Sequence, residues 1–194
     1  LPMTTRPDPD PTLAPDAVPD PTPDPIPAPQ WCWRPMGPGD LADVVRIAAA
    51  VHPPALAEAP AVFAERRDLY PAGTFLLEVG GRPTGYVLAH PWRAGTIPPL
   101  DTLLGALPSA ADCLYLHDLA LLPAARGLGA AGAIVTRLAA ATTHPRLALV
   151  AVGGSAPFWR RQGFLPVVSA TLGAKLEGYG PNACYMERTA VGSA

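Results

Sequence analysis

Hydrophobic and polar positions recur with a period that changes along the chain, and these changes divide it into strands and helices. Leu41, Val44, Val45 and Ala48 share one helical face behind Asp40, a favourable N-cap residue. Short apolar runs bounded by Gly or Pro are instead typical of strands. Strands are predicted at 31–36, 74–81, 84–90, 113–122, 146–153, 163–170 and 183–189.

Helices are predicted between these strands at 41–52, 131–144 and 155–162, with a further helical stretch at 55–70 that Pro60 interrupts. The second and third strands join through Gly80-Gly81-Arg82-Pro83 and should form a hairpin. Because a strand, a helix and a strand follow one another from residue 113, a parallel crossover inside a mixed sheet is expected. The long connection at 91–111 is of a length that often carries function.

The first 30 residues differ from the rest in composition. Proline occupies 11 of these 30 positions. Each proline removes a backbone donor and favours extended backbone, so a disordered tail is expected at 1–30, before one folded domain at 31–190. A solvated tail is the favoured interpretation, and a PxxP-type ligand for a partner domain is the alternative.

Composition and charge exclude several classes of protein. Hydrophobic residues make up 49% of the 194 positions, but no apolar run is long enough to span a membrane. The net charge is −2, of which residues 1–30 carry −4, and the weak positive remainder argues against nucleic-acid binding. Cys32, Cys113 and Cys184 are too scattered for a disulfide framework or a zinc site, so no metal and a cytoplasmic location are expected.

A run of very small side chains separates the strand at 113–122 from the helix that follows. It consists of Arg126, Gly127, Leu128, Gly129, Ala130 and Ala131. Without side-chain bulk, the unpaired amides of the helix N-terminus can approach an anion such as a diphosphate. The run lacks the P-loop pattern and the downstream acid of a dinucleotide fingerprint. Tight packing of helix on strand is the alternative for such a turn taken alone.

Two motifs in this half of the chain resemble the GNAT superfamily of N-acetyltransferases. Residues 126–131, preceded by Leu121-x-Pro123, fit the pattern [Q/R]-x-x-G-x-[G/A], and residues 155–164 resemble A-x-x-[FL]-[YW]-x-x-x-G-F. The resemblance covers about residues 31–190. It implies an α/β (α+β) fold with a mixed, centrally splayed β-sheet of six to seven strands flanked by about four helices.

The same resemblance implies that acetyl-CoA, as co-substrate, lies in the V between the splayed strands. Strand backbone then pairs with the pantetheine amides, the small-residue turn wraps the pyrophosphate, and an aromatic pair lines the pantetheine arm, with core packing as the alternative for that pair. The residues so assigned are Leu119, Ala120, Leu121, Arg126, Gly127, Leu128, Gly129, Ala130, Ala131, Phe158 and Trp159.

Acyl transfer to an amine needs a base, an oxyanion donor and a proton for the thiolate. Alternation along the strand places Tyr115, His117 and Leu119 on one face and Asp118 on the other. The string from His117 to Leu121 is similar to the H-x-L-A-V strand of arylalkylamine N-acetyltransferases, whose histidine is a base. His117 is therefore the expected base and Asp118 the backup through water, while a buried structural histidine is the alternative. A backbone N–H near Leu119–Leu121 is the expected oxyanion donor.

The acid is harder to assign, because Trp159 stands where the family often has a tyrosine. Tyr185 is the candidate taken, Tyr179 is a second, and water is sufficient if neither serves. For the acceptor, His90 and Trp92 at the start of the long connection and Tyr115 on the central strand are the expected pocket residues.

These observations predict an N-acetyltransferase that moves an acetyl group from acetyl-CoA to a primary amine of a small molecule or peptide by direct attack. The alternative keeps the fold without turnover, as a CoA-binding sensor or interaction module with a proline-rich tail. A nucleotide-binding domain that uses 126–131 for ATP is a third hypothesis. A homodimer is a possible assembly, and neither nucleic acid nor a membrane is an expected partner.

Overall fold

A mixed sheet of seven strands organises residues 30–190, which are the residues that the computed structural model describes. The strands are β1 Trp31–Pro35, β2 Thr74–Val79, β3 Arg82–Trp92, β4 Cys113–Leu121, β5 Arg146–Ala151, β6 Leu165–Pro166 and β7 Cys184–Thr189. The α-helices are α1 Leu41–Val51, α2 Pro60–Leu69, α3 Ala130–Ala141, α4 Ala156–Arg161 and α5 Ala170–Leu176. The tail predicted at 1–30 lies, except for Gln30, outside the described residues.

The order of strands in the sheet is β1-β2-β3-β4-β5-β7-β6. Neighbours are antiparallel except for β4 and β5, which run parallel on either side of α3 in sequence. The predicted hairpin and parallel crossover are both confirmed. The β4–β5 pairing consists of Leu114 with Leu147 and Tyr115 with Ala148, so the sheet is splayed at its centre, as expected.

The two faces of the sheet are covered by different helices, as alternation of side chains in strands requires. On one face, Phe75, Leu114 and Leu116 pack against Ile134 and other residues of α3 and α4. On the other face, the neighbouring strand positions pack against α1 and α2, in a cluster that includes Val44, Ile47, Phe63, Leu76, Tyr86, Leu88 and Ala120. The described helices include none that is both long and apolar enough to cross a bilayer.

Two local predictions are wrong, both at prolines. Pro60 begins α2 rather than interrupting a helix, because proline at the first helical position lacks only an N–H that would be unpaired there. The strand predicted at 163–170 shrinks to the two residues of β6, which pair with β7. Ser169 then caps α5, since its side chain accepts a hydrogen bond from the Leu172 N–H at 3.2 Å.

Candidate active site

The gap between β4 and β5 opens after Tyr115. From Leu116 to Leu121, no residue of β4 pairs with β5 within the described sheet. The edge of β4 that faces the gap therefore presents backbone donors and acceptors without a strand partner, and such an edge can pair with an extended ligand.

The small-residue turn lies at the end of β4. Gly127 and Gly129 both have positive φ, at 75° and 80°, a region that glycine occupies without steric cost. Gly129 is the N-cap of α3 and contributes no side-chain hydrogen bond. Within residues 30–190, the amides of 127–132 find no acceptor. Together they form a backbone cradle at the helix N-terminus, an arrangement that can bind an anion.

Two tryptophans of β1 hold this turn from behind. The Trp31 indole N–H donates to the Leu128 carbonyl at 3.0 Å, and the Trp33 indole N–H donates to the Ala130 carbonyl at 2.8 Å. From the sequence alone, these tryptophans are assigned only to a strand. Their spacing of two residues was a signal that they share a face, but nothing in the sequence identified the partner, 97 residues away.

A β-bulge interrupts β4 at the predicted catalytic residues. Leu88 of β3 faces Asp118, whereas its neighbour Ala89 faces Leu116, so His117 is the extra residue. The predicted alternation is therefore wrong here. His117 and Asp118 both project toward the α1 and α2 side, where each meets a partner from that layer, and Leu119 packs on the α3 side.

His117 forms a buried pair with a glutamate that sequence analysis did not single out. Its Nε2 lies 2.8 Å from Glu58 Oε2, and the two side chains are 6% and 5% exposed. Glu58, two residues before α2, also accepts the Asp101 N–H at 3.0 Å. Burial alone would raise the pKa of Glu58, but the hydrogen bond to His117 and the neighbouring charges outweigh it and lower that pKa. Glu58 is thus a carboxylate that accepts from the ring.

Asp118 is occupied by two other groups. Tyr86 donates its hydroxyl proton to Asp118 Oδ2, and His52 Nε2 lies 2.9 Å from the same oxygen. Burial opposes the charged form of His52, but the bond to Asp118 prevails and raises its pKa. Asp118 therefore connects α1 to the sheet, and it is less free than His117 to act as a base.

The expected acceptor residues do come together beside His117. The His90 ring lies beside both Tyr115 and His117, at centroid distances of 5.9 and 5.8 Å, and Trp92 packs edge-on against it at 5.5 Å. His90 is fully buried, and its Nδ1 donates to the Pro91 carbonyl at 3.0 Å. Burial and the nearby His117 lower the pKa of His90 to about 3, so this ring is neutral near pH 7.

The long connection is fastened to α2 by hydrogen bonds. Glu65 accepts the N–H groups of Leu104 and Gly105, both at 2.8 Å. The buried Arg66 donates to the Thr102 carbonyl at 2.9 Å, while the Asp101 carboxylate accepts the Ala59 N–H. Because Asp101 also donates to Glu58, the connection is tied directly to the partner of His117.

Tyr185 and the aromatic pair of α4 lie elsewhere. The Tyr185 hydroxyl donates to Glu187 Oε1 and accepts the Gly95 N–H, each at 2.9 Å. Burial, and to a smaller extent the Glu187 carboxylate, raises the pKa of Tyr185. Its described contacts thus include neither His117 nor Asp118. Trp159 is buried against Phe164, while Phe158 is only partly buried. Trp159 is a core residue, and a wall role remains a prediction for Phe158.

The three cysteines are free thiols, and the described residues contain no group of side chains arranged to hold a metal ion. The site therefore consists of a backbone cradle at one end of the splayed strand and a carboxylate–histidine pair near its middle.

Sequence comparison identifies the family. The sequence model of the acetyltransferase (GNAT) family matches residues 41–164. This chain belongs to the GNAT acetyltransferase family. The match runs from the start of α1 to the end of the second motif, and it includes Glu58, the bulge and the turn. No curated protein matches the chain in sequence.

Solved structures with the GNAT fold align over most of the chain at low identity. The loading GNATL domain of CurA from Lyngbya majuscula has a TM-score of 0.67 at 12% identity, over 82% of this chain and 98% of that one. Ard1 from Thermoplasma volcanium has 0.60 at 15%, over 83% and 98%. Arabidopsis thaliana Naa50, in complex with the bisubstrate analogue CoA-Ac-MVNAL, has 0.58 at 14%, over 81% and 96%. The TM-scores show a shared fold, and at such low identities they show the fold alone.

Proposed function

We propose that the chain is an N-acetyltransferase that moves an acetyl group from acetyl-CoA to a primary amine by direct attack. The observation that carries this proposal is the His117–Glu58 pair, which lies on β4 where that strand leaves β5. Members of the GNAT family are acyl-CoA-dependent N-acetyltransferases. The Naa50 structure contains an analogue that joins CoA to an acetylated peptide.

CoA binding follows from the backbone of β4 and of the turn. The free amides of 127–132 bind the diphosphate, with the α3 dipole adding to the attraction. The unpaired edge at Leu119–Leu121 pairs with the pantetheine amides. The thioester is then held in the gap, beside the bulge that carries His117.

The catalytic steps follow from the hydrogen bond within the pair. Because the Glu58 carboxylate accepts from Nε2, a neutral His117 ring holds its proton on that nitrogen and its lone pair on Nδ1. Nδ1 takes a proton from the ammonium or amine of the acceptor, and the amine attacks the thioester carbonyl. A β4 backbone N–H beyond the bulge stabilises the oxyanion, which then expels the CoA thiolate. Glu58 orients the ring and stabilises the imidazolium.

The acceptor approaches from the side of Trp92, which is only partly buried, since His90 and Tyr115 are themselves buried. Because His90 is neutral, it adds no positive charge that would repel an ammonium group. Water supplies the proton for the thiolate in this scheme, because the Tyr185 hydroxyl already donates to Glu187.

A CoA-binding sensor without turnover is the second candidate, and Trp159 in place of the usual tyrosine favours it. The two are separated by incubating the protein with acetyl-CoA and a panel of peptide and small-molecule amines while free thiol is measured. We expect amine-dependent thiol release that His117→Ala abolishes with CoA affinity intact, and that the remote control His144→Asn leaves unchanged. CoA binding with no release for any amine would favour the sensor.

A further inference from the structure

Two indole N–H groups reach the back of the CoA cradle. We infer that Trp31 and Trp33 are positioning residues for the CoA diphosphate, because they hold the peptide groups whose amides bind it. The inference rests on the proposed function, since it takes CoA as the ligand.

The strand places both rings on one side. Trp31 and Trp33 are two residues apart in β1, so they point to the same face, whereas Cys32 between them is exposed. Both rings pack on the cluster of Leu77, Ala125 and Ala130, which lies beneath the turn. Both indoles are only partly buried, so solvent could have bonded them; each instead meets a carbonyl of the turn.

The peptide planes transmit this contact to the ligand side. In a trans peptide, the carbonyl of one residue and the N–H of the next point in opposite directions. The bond from Trp31 to the Leu128 carbonyl therefore directs the Gly129 N–H away from β1. The bond from Trp33 to the Ala130 carbonyl does the same for the Ala131 N–H. Both of these amides belong to the group without an acceptor in residues 30–190.

The turn needs such a restraint from outside. It contains two glycines at positive φ, and Gly129 offers no side chain to cap α3. Glycine has the largest backbone freedom of any residue, so an unrestrained turn would lose that freedom on binding CoA. The two hydrogen bonds from the indoles remove part of this backbone freedom before CoA binds. A hydrogen bond to the carbonyl also polarises the peptide and strengthens its N–H as a donor.

The test compares CoA with pantetheine, which lacks the diphosphate, on the same variants. Trp31→Phe and Trp33→Phe remove the N–H and keep an aromatic ring on the cluster. We expect each to weaken CoA binding about fivefold and the double variant about 25-fold, as loss of one hydrogen bond implies. Pantetheine affinity should not change. In turnover, KM for acetyl-CoA should rise while kcat stays within about twofold.

Equal loss of affinity for both ligands would show a purely structural role and overturn the inference. So would CoA affinity that is unchanged in the double variant. If the double variant does not fold, the single variants carry the test, because each keeps one indole bond. If the wild-type protein binds no CoA, the proposed function itself is overturned. If the wild type binds CoA and the tryptophan variants bind it equally well, only this inference is overturned.

Discussion

The two halves of the site differ in what they are made of. The proposed CoA cradle at 127–132 consists of backbone amides, and its small side chains leave those amides open. The centre beside the bulge consists of buried side chains instead, with His117 on Glu58 and Asp118 on His52 and Tyr86.

The two halves of the site therefore depend on different parts of the structure. A backbone cradle depends on local conformation, and its failure should affect CoA affinity alone. A buried side-chain network depends on partners from distant segments, and its failure should affect turnover or stability before CoA affinity. Variants in each half should therefore give different readouts.

The largest expected effect is on turnover, from the His117–Glu58 pair. His117→Asn should lower kcat about 1,000-fold, the usual contribution of a general base, while Glu58→Gln should lower it about 30-fold. Because the two groups act as a unit, the double variant should be no slower than His117→Asn. Steady-state kinetics on the three variants measures this. A double variant whose loss in kcat equals the product of the two single losses would contradict the pairing.

Replacing Asp118 should lower the stability of the fold more than the affinity for CoA. Asp118→Ala leaves His52 and Tyr86 without their buried partner, so the free energy of unfolding should fall by about 3 kcal/mol in urea titrations. The exposed control Asp43→Ala, which loses a surface pair with Arg46 and a carboxylate in the first turn of α1, should cost about 1 kcal/mol or less. A stable Asp118→Ala protein with lost turnover would instead make Asp118 the base.

The pH dependence of stability should carry the signature of His90. Its pKa is about 3 when folded and near 6.5 when unfolded, so the unfolded chain binds an extra proton between these values. The free energy of unfolding should therefore rise with pH across that window, by about 1.4 kcal/mol per pH unit from this group. His90→Phe keeps a ring and should lose that part of the slope. An identical slope in wild type and variant would refute the assignment.

The smallest effect is expected at Tyr185, whose sequence-based assignment as the acid is still untested and which the proposed mechanism does not use. If its hydroxyl only joins Gly95 to Glu187, Tyr185→Phe should lower the free energy of unfolding by about 1 kcal/mol and leave kcat within about twofold. We expect this outcome. A loss in kcat of about 100-fold at unchanged stability would restore Tyr185 as the proton donor.

The conformation of the small-residue turn was predictable from the sequence, whereas the partners of His117 and Asp118 were not, and the reason is physical. Glycine spacing and the absence of bulk act locally, so 126–131 and the parallel crossover could be read from adjacent residues. The bulge is set by the register of two strands, and no feature of the string from Tyr115 to Leu119 marks it. Glu58 lies 59 residues from His117 and comes beside it only through packing of the α2 layer.

Calorimetric titration with CoA tests the central claim most directly, on a variant that blocks the cradle without harming the helix. Ala131→Glu places a carboxylate in the first turn of α3, where the dipole favours it, so the fold should persist. The account predicts at least a roughly 100-fold loss of CoA affinity for Ala131→Glu. It predicts none for Thr136→Glu, which adds the same charge at an exposed position farther along α3. CoA binding that is equally strong in wild type and Ala131→Glu would contradict it.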